Sequence, residues 1–240
     1  MPSITTPGIV LRYANYRDHD RMLTILSPRY GKLDVLSRGC RRPKSALMPA
    51  SELFVYGEFV CYQQNDHATL SSCTISDTFY PLRLDPYRLT CASYLSALCA
   101  AAVQPGEESA ELYALLLKGL YYLSYEKDAD ALETTTAFLL LFADVNGYRP
   151  RLSRCAHCRT PLDLANGAPF DVAAGGLCCP MCASRSTFRM SVEEIKWMSE
   201  TIRSGLKPQK NTGAGTLFDV LRRYVEMRLE TPIKVSKLLP

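Results

Sequence analysis

The chain has 240 residues, of which 47% are hydrophobic and 22% charged, and its formal net charge is +4. This composition suits a folded protein with room for two domains and excludes a low-complexity chain. The first twenty residues hold no apolar core with a cleavage site, and no stretch is long and apolar enough to span a bilayer, so we expect a cytosolic protein without membrane contact.

The charges are distributed unevenly. Residues 1–80 hold nine Lys and Arg against seven Asp and Glu, residues 81–150 five against nine, and residues 151–240 fourteen against eight. A basic start and a basic end therefore flank an acidic middle. Such surfaces attract nucleic acid or any acidic partner, and charge alone does not distinguish the two.

The first eighty residues predict five short strands. Near the start, Ile9 and Leu11 alternate with Val10 and Arg12, which is the period of two that a half-buried strand shows. The predicted strands are 8–16, 21–26, 32–37, 53–62 and 69–79. Five strands joined by turns suit a small barrel or sandwich, and the five-stranded OB barrel is one solution.

A cluster of four cations follows the third predicted strand: Arg38, Arg41, Arg42 and Lys44. Gly39 and Pro43 oppose regular structure there, so the segment is predicted to be a loop. A loop of this kind can follow a phosphate backbone, and it can equally be a solvated charged loop. Five tyrosines in or near the predicted strands can stack on bases: Tyr13, Tyr16, Tyr30, Tyr56 and Tyr62. Aromatic residues in short strands more often serve packing, so we assign a DNA contact to none of them.

The periodicity becomes helical after the break at 81–86. Helices are predicted over 87–103 and 111–125, from an N-cap at Asp130 to a stop at Asn146–Gly147, from a capping box at Ser191, and after 213–215. We therefore predict an α+β protein. Residues 1–80 form a small barrel or sandwich, for which the OB-fold barrel is one solution, and residues 81–240 form an all-helical domain that carries a small inserted module at about 151–185.

That module contains two C-x-x-C pairs, Cys155–Cys158 and Cys179–Cys182, with 20 residues between them. Two residues between cysteines let both thiolates of a pair reach one metal ion. A second pair then completes a tetrahedron, the geometry of a closed structural Zn²⁺ site. We predict one structural zinc per chain, and Cys178 is an alternative to Cys179 as its ligand.

Two other interpretations of the cysteines stay open, a redox pair and no metal at all. A thiol–disulfide enzyme needs a single such motif at the end of a strand in a βαβ unit, which this context does not predict. A zinc deaminase needs H-x-E, which none of the three histidines begins.

Several segments in order resemble the RecO family of bacterial recombination mediators. They are the basic loop within 35–45, the helix end and first cysteine within 139–155, Gly175-Gly176-Leu177 before the second cysteine pair, and the tail segment from Ile233 to Ser236. The chain departs from the family pattern at Arg38, where Lys is common, and at Arg159, where Gly often follows the second cysteine.

The resemblance implies an OB fold, a helical domain and a zinc module. It also implies a nucleoid-associated protein that binds single- and double-stranded DNA, anneals complementary strands and, with RecR, helps to load RecA. Such proteins bind the acidic tail of single-stranded-DNA-binding protein, and Arg222 and Arg223 are candidate residues for that contact. They also share a helix with acidic residues and can be a solvated face.

No nucleotide hydrolysis is expected, since the chain has no G-x-x-x-x-G-K-[ST] loop. The first rival interpretation is a zinc-ribbon transcriptional regulator that binds duplex DNA, and the second is a zinc-dependent or redox enzyme. A regulator of this kind would have a basic recognition helix and would prefer particular duplex sequences.

Overall fold

A computed structural model describes residues 3–64, 67–208, 213–234 and 239. Two compact units divide the chain, Met1–Tyr125 and Glu126–Pro240. Of the predicted tail segment, Val235 and Ser236 lie outside the described residues. Among the residues that are described, no helix combines the length and the apolar character needed to cross a bilayer.

The first unit contains a closed barrel of five strands. They are β1 (Ser3–Tyr16), β2 (Asp20–Ser27), β3 (Gly31–Ser37), β4 (Tyr56–Gln64) and β5 (His67–Asp77). The strand order is β1-β2-β3-β5-β4, and β4 pairs with β1 to close the barrel. All neighbouring pairs are antiparallel except β3 and β5. The predicted OB-like barrel and the α+β class are confirmed.

Alternating side chains of these strands fill the barrel. Val10, Leu23, Ile25, Val35 and Phe59 are almost fully buried in one apolar cluster. A register shift between Val10 and Arg12 marks a bulge in β1, which adds twist where a barrel must curve. At the far end of β1, the side chains of residues 12–16 are all exposed.

Two helices belong to the same unit as the barrel, α1 (Pro86–Ala102) and α2 (Ala110–Tyr125). Asp85 caps α1 by accepting from the backbone N–H groups of Tyr87 and Arg88. Both helices pack against each other and against barrel strands, so the compact units divide after Tyr125. The predicted boundary at residue 80 marks the change of periodicity, and it stays a prediction.

The second unit is built around α3 (Ala131–Val145), with α4 (Val192–Ser204) and α5 (Phe218–Leu229) packed on it. Helix α3 is buried almost all round, which its run of apolar residues requires. Thr134, Thr135 and Thr136 are fully buried, and each hydroxyl donates to the carbonyl four residues earlier. Burial therefore leaves none of these three hydroxyls unpaired.

The predicted helix ends are confirmed. Asp130 accepts from the Glu133 N–H at 2.8 Å, and Ser191 forms a reciprocal capping box with Glu194. At the end of α3, Gly147 has φ 79°, and the Tyr148 N–H donates to the Ala143 carbonyl. This is the Schellman arrangement that the Asn-Gly pair predicts.

A small sheet lies between α3 and α4 in the sequence. Its strands are β6 (Ala168–Asp171), β7 (Gly176–Leu177) and β8 (Phe188–Met190), in the order β7-β6-β8. Strands this short are marginal by themselves, so the segment needs another source of stability.

Candidate functional site

The two cysteine pairs converge. The sulfur atoms of Cys155, Cys158, Cys179 and Cys182 all lie within 4.8 Å of one another. Cys155 is buried, Cys158 is exposed, and the other two are half-buried. The group includes Cys179 and not Cys178, in agreement with the spacing argument, and the ligand role of each thiol stays a prediction.

Each pair is held by a tight turn that backbone hydrogen bonds close. In the first turn the Arg159 N–H donates to the Cys155 carbonyl, and in the second the Cys182 and Ala183 N–H groups donate to the Cys179 carbonyl. Arg159 has φ 64°, in the left-handed region that favours glycine. This explains physically why glycine is the expected residue there and why arginine is a departure.

The chain around the two turns is packed backbone against backbone. The Arg151 N–H donates to the Gly175 carbonyl, and the Leu177 N–H donates to the Arg151 carbonyl. A Cβ on Gly176 would lie 2.5 Å from the Arg151 carbonyl oxygen, so this position accepts no side chain. The two glycines before the second pair therefore bring the turns together.

The electrostatics of the group favour thiolates and a cation. Burial raises the pKa of Cys155, but hydrogen bonds from the backbone of Cys179, Cys158 and His157 outweigh it and lower the pKa to about 5. Hydrogen bonds with the thiols of Cys179 and Cys158, followed by burial, raise the pKa of Cys182 to about 12. A cation held by the four sulfur atoms would lower it again, because a coordinating thiol is deprotonated.

The geometry fits a tetrahedral zinc site. Zn–S bonds of about 2.3 Å place the corners of a tetrahedron about 3.8 Å apart. The Cys158 and Cys179 sulfur atoms lie 3.8 Å apart. The Cys179 N–H also points at the Cys155 sulfur at 3.4 Å, as expected for a thiolate ligand whose charge is partly delocalised onto the backbone.

A neighbouring group of His157, Asp171 and Cys178 has a different character. Asp171 accepts from the Ala173 and Ala174 N–H groups and pairs with the His157 ring at 3.0 Å. Cys178 is fully buried, its thiol faces the Gly176 carbonyl, and burial raises its pKa to about 11. These residues brace the turn after β6.

The predicted basic loop follows β3 as a series of turns. The side chains of Arg38, Arg41, Arg42 and Lys44 are all exposed. The backbone beneath them is fixed. The Gly39 N–H donates to an Asp20 carboxylate oxygen at 2.7 Å, and the Arg41 N–H donates to the His19 carbonyl at 2.9 Å. The loop is therefore held against the β1–β2 turn while its charges face solvent.

The two arginines predicted for partner contact differ in their surroundings. Arg222 forms ion pairs with Asp219 at 2.8 Å and Glu226 at 3.7 Å. Arg223 is exposed, and its guanidinium lies 5.5 Å from the centre of the Phe188 ring.

Arg223 lines a surface pocket of about 610 Å³, and sequence reasoning missed a second cation there, Arg185. The pocket also has apolar walls at Val172, Phe188 and Met227, and two carboxylates line it, Asp171 and Glu226. The signal that was available is the position of Arg185, three residues after the last cysteine of the module.

Comparison with known proteins covers both units. The family models Recombination protein O N terminal and Recombination protein O C terminal match residues 1–79 and 83–237. The DNA repair protein RecO of Acetivibrio thermocellus is 30% identical over 96% of this chain and 93% of its own length. The RecO protein of Alkaliphilus metalliredigens is 29% identical over 95% of this chain and 94% of its own length. The RecO protein of Moorella thermoacetica is 35% identical over 73% of this chain and 64% of its own length. The chain belongs to the RecO family.

Proposed function

We propose that this protein is a recombination and repair mediator of the bacterial cytoplasm, associated with the nucleoid. It binds single- and double-stranded DNA, anneals complementary strands and, together with RecR, helps to load RecA onto DNA coated by single-stranded-DNA-binding protein. It acts by binding, without covalent chemistry. The observation that carries the proposal is the basic loop, four exposed cations on a fixed backbone at one end of an OB-like barrel.

Cations in this arrangement act on the phosphate backbone. Each phosphate that a cation neutralises releases condensed counterions, so the affinity falls as salt rises and ignores sequence. Annealing needs this kind of contact, because a protein that neutralises both strands removes the repulsion between them and still lets them slide into register. The hydrogen bonds to His19 and Asp20 reduce the entropy lost when the loop binds.

The metal is proposed to be one structural Zn²⁺ held by Cys155, Cys158, Cys179 and Cys182. The support is the sulfur spacing, and zinc is the usual ion for four thiolates in this geometry. When bound, the ion contributes folding energy and no reaction step. Metal analysis that finds no zinc, with all four thiols reacting freely, would exclude this assignment.

The acidic, partly apolar tail of single-stranded-DNA-binding protein is proposed to bind beside Arg222 and Arg223. The pocket next to Arg223 suits it, since apolar walls accompany the cations Arg223 and Arg185. The two carboxylates that also line the pocket already have partners, Asp171 the His157 ring and Glu226 the Arg222 guanidinium. RecR and RecA contacts are proposed from the family alone.

The test is an annealing assay. Complementary strands coated with single-stranded-DNA-binding protein are mixed with this protein, and duplex formation is followed over a salt series. We expect annealing at low salt that declines as salt rises. Arg41→Ala/Arg42→Ala should slow annealing and lower the salt slope of single-strand binding by about 1.4, at about 0.7 for each lost phosphate contact.

Arg29→Ala is the matched control, because Arg29 is an exposed cation of the same barrel at the opposite end of β3. It should leave both the rate and the slope unchanged. Absence of annealing at low salt, or equal effects of the loop and control variants, would refute the proposal. A strong preference for particular duplex sequences would favour a zinc-ribbon regulator.

A further inference from the structure

We infer that Tyr13 is a stacking platform for one unpaired base, and that Arg21 is the positioning residue that holds its ring. The inference rests on the proposed DNA-binding function and adds strand selectivity to it. The basic loop binds phosphates, which single strands and duplexes share, whereas a stacking platform needs a base that is not already stacked in a duplex.

The register of the barrel brings the two residues together. Tyr13 in β1 pairs with Leu23 in β2, and Asn15 pairs with Arg21, so Tyr13 and Arg21 lie on the same face of this hairpin. The Arg21 guanidinium lies over the Tyr13 ring, 4.0 Å from its centre. At this distance the cation and the ring are in direct contact.

Arg21 is fixed from behind and its charge is already compensated. Its Nη1 donates to Glu52 at 2.7 Å and to the Ser51 carbonyl at 2.9 Å, and only 15% of its side chain is exposed. It is therefore poorly suited to binding a phosphate. It is well suited to holding a planar ring, since a guanidinium stacks flat on an aromatic face.

Tyr13 is nonetheless accessible to solvent. With one ring face against Arg21, 39% of the residue is still exposed. A tyrosine held in one orientation costs little entropy when a base stacks on it, whereas a mobile one must first be ordered. The pair thus forms a prepared flat surface at the exposed end of β1.

The platform adjoins the basic loop. Arg21 pairs with Ser37 across β2 and β3, and the Ser37 hydroxyl lies 2.8 Å from the hydroxyl of Ser51, the residue whose carbonyl binds Arg21. Arg38, the first cation of the loop, follows Ser37 directly. A strand whose phosphates lie along the loop therefore has a surface for its bases within reach.

Tyr16 provides a matched control. It is 40% exposed, almost the same as Tyr13, but it pairs with Asp20 and lies on the opposite face of the hairpin. The Arg17 guanidinium lies 5.1 Å from the centre of the Tyr16 ring, so both tyrosines have a cationic neighbour. Tyr16→Ala therefore distinguishes the general effect of removing an exposed aromatic ring from the specific effect of removing Tyr13.

The test measures binding of the full chain to three labelled ligands: oligothymidine, an abasic strand of the same length, and a duplex. Tyr13→Ala should weaken oligothymidine binding about 5- to 50-fold, while binding of the abasic strand and the duplex changes less than about twofold. The salt slope should stay the same because no phosphate contact is lost. Tyr13→Phe should retain wild-type binding, and Tyr13→Leu should not.

Equal loss on all three ligands, no loss on any, or a similar selective loss in Tyr16→Ala would overturn the inference. Thermal unfolding of each variant checks that the barrel is intact, and a destabilised Tyr13→Ala shifts the decision to the comparison of Tyr13→Phe with Tyr13→Leu. If the wild-type protein binds none of the ligands at low salt, the proposed function itself fails. If it binds all of them and Tyr13→Ala makes no difference, only the platform fails.

Discussion

Replacing Cys155 by serine tests the role of the metal centre most directly. Cys155 is fully buried, and its sulfur receives the Cys179 N–H from the opposite turn, so it joins both halves of the site. Serine keeps the shape of the side chain but is a poor zinc ligand. We expect the zinc content to fall from one ion per chain to almost none.

The magnitude follows from how little else holds the module together. Its three strands have four, two and three residues, and its large, fully buried apolar side chains are Phe170, Leu177 and Met190. At about 2 kcal/mol each, these contribute roughly 6 kcal/mol. A structural zinc site contributes about 10–16 kcal/mol, so the metal outweighs the apolar core. Its loss is comparable with the whole net stability of an ordinary domain, about 5–15 kcal/mol, so the module should unfold.

The assay combines metal analysis, thermal unfolding and amide hydrogen exchange. Exchange in 151–190 should become fast, while the barrel amides of the first unit should keep their protection. Cys178→Ser is the matched control, since Cys178 is equally buried and adjacent but outside the four-sulfur group. It should keep the zinc and lose only about 1–2 kcal/mol. Retention of zinc by Cys155→Ser, or its loss in Cys178→Ser, would refute the reasoning.

Two further predictions concern the second unit. Gly176→Ala forces a Cβ to 2.5 Å from the Arg151 carbonyl and should cost about 3 kcal/mol, whereas Gly147→Ala meets no atom within 4 Å and should cost only about 1 kcal/mol for its positive φ. Thermal unfolding compares them, and equal costs would contradict the steric argument. Arg223→Ala should weaken binding of an acidic tail peptide about 3- to 10-fold and Arg222→Ala less than twofold, because Arg222 is paired with two carboxylates. Fluorescence anisotropy measures both, and the reverse order would count against the pocket.

Local signals in the sequence predicted the elements well. The barrel strands follow a period of two, and the ends of α3 and α4 follow from Asp130, Gly147 and Ser191, because capping depends on residues within one turn of the helix end. The cysteine spacing likewise predicted the convergence of two turns. Each of these features is determined over a few residues, so a pattern can reveal it.

The features that sequence reasoning missed depend on residues far apart in the chain. The contact between Tyr13 and Arg21 requires the β1–β2 register and also Glu52, which lies 31 residues after Arg21. The packing of α1 and α2 with the barrel is equally non-local. Arg185 was overlooked because its spacing from Cys182 indicates only that it lies near the module, and the tertiary fold is needed to place it in one pocket with Arg223 of α5.

The four cysteines and the basic loop belong to different compact units. Changes at the cysteines are therefore expected to affect binding by the second unit and not binding by the loop. Arg185 and Phe188 line the Arg223 pocket from the segment that directly follows Cys182, so a metal held by the four cysteines would support one wall of that pocket. The loop after β3 is not adjacent to the cysteines in the sequence, and its backbone is fixed by His19 and Asp20 within the barrel unit. Removing the metal should therefore abolish binding of the acidic peptide and spare binding of single strands. On this view the cysteines serve the recruitment of a partner, and the contact with DNA is made by the barrel.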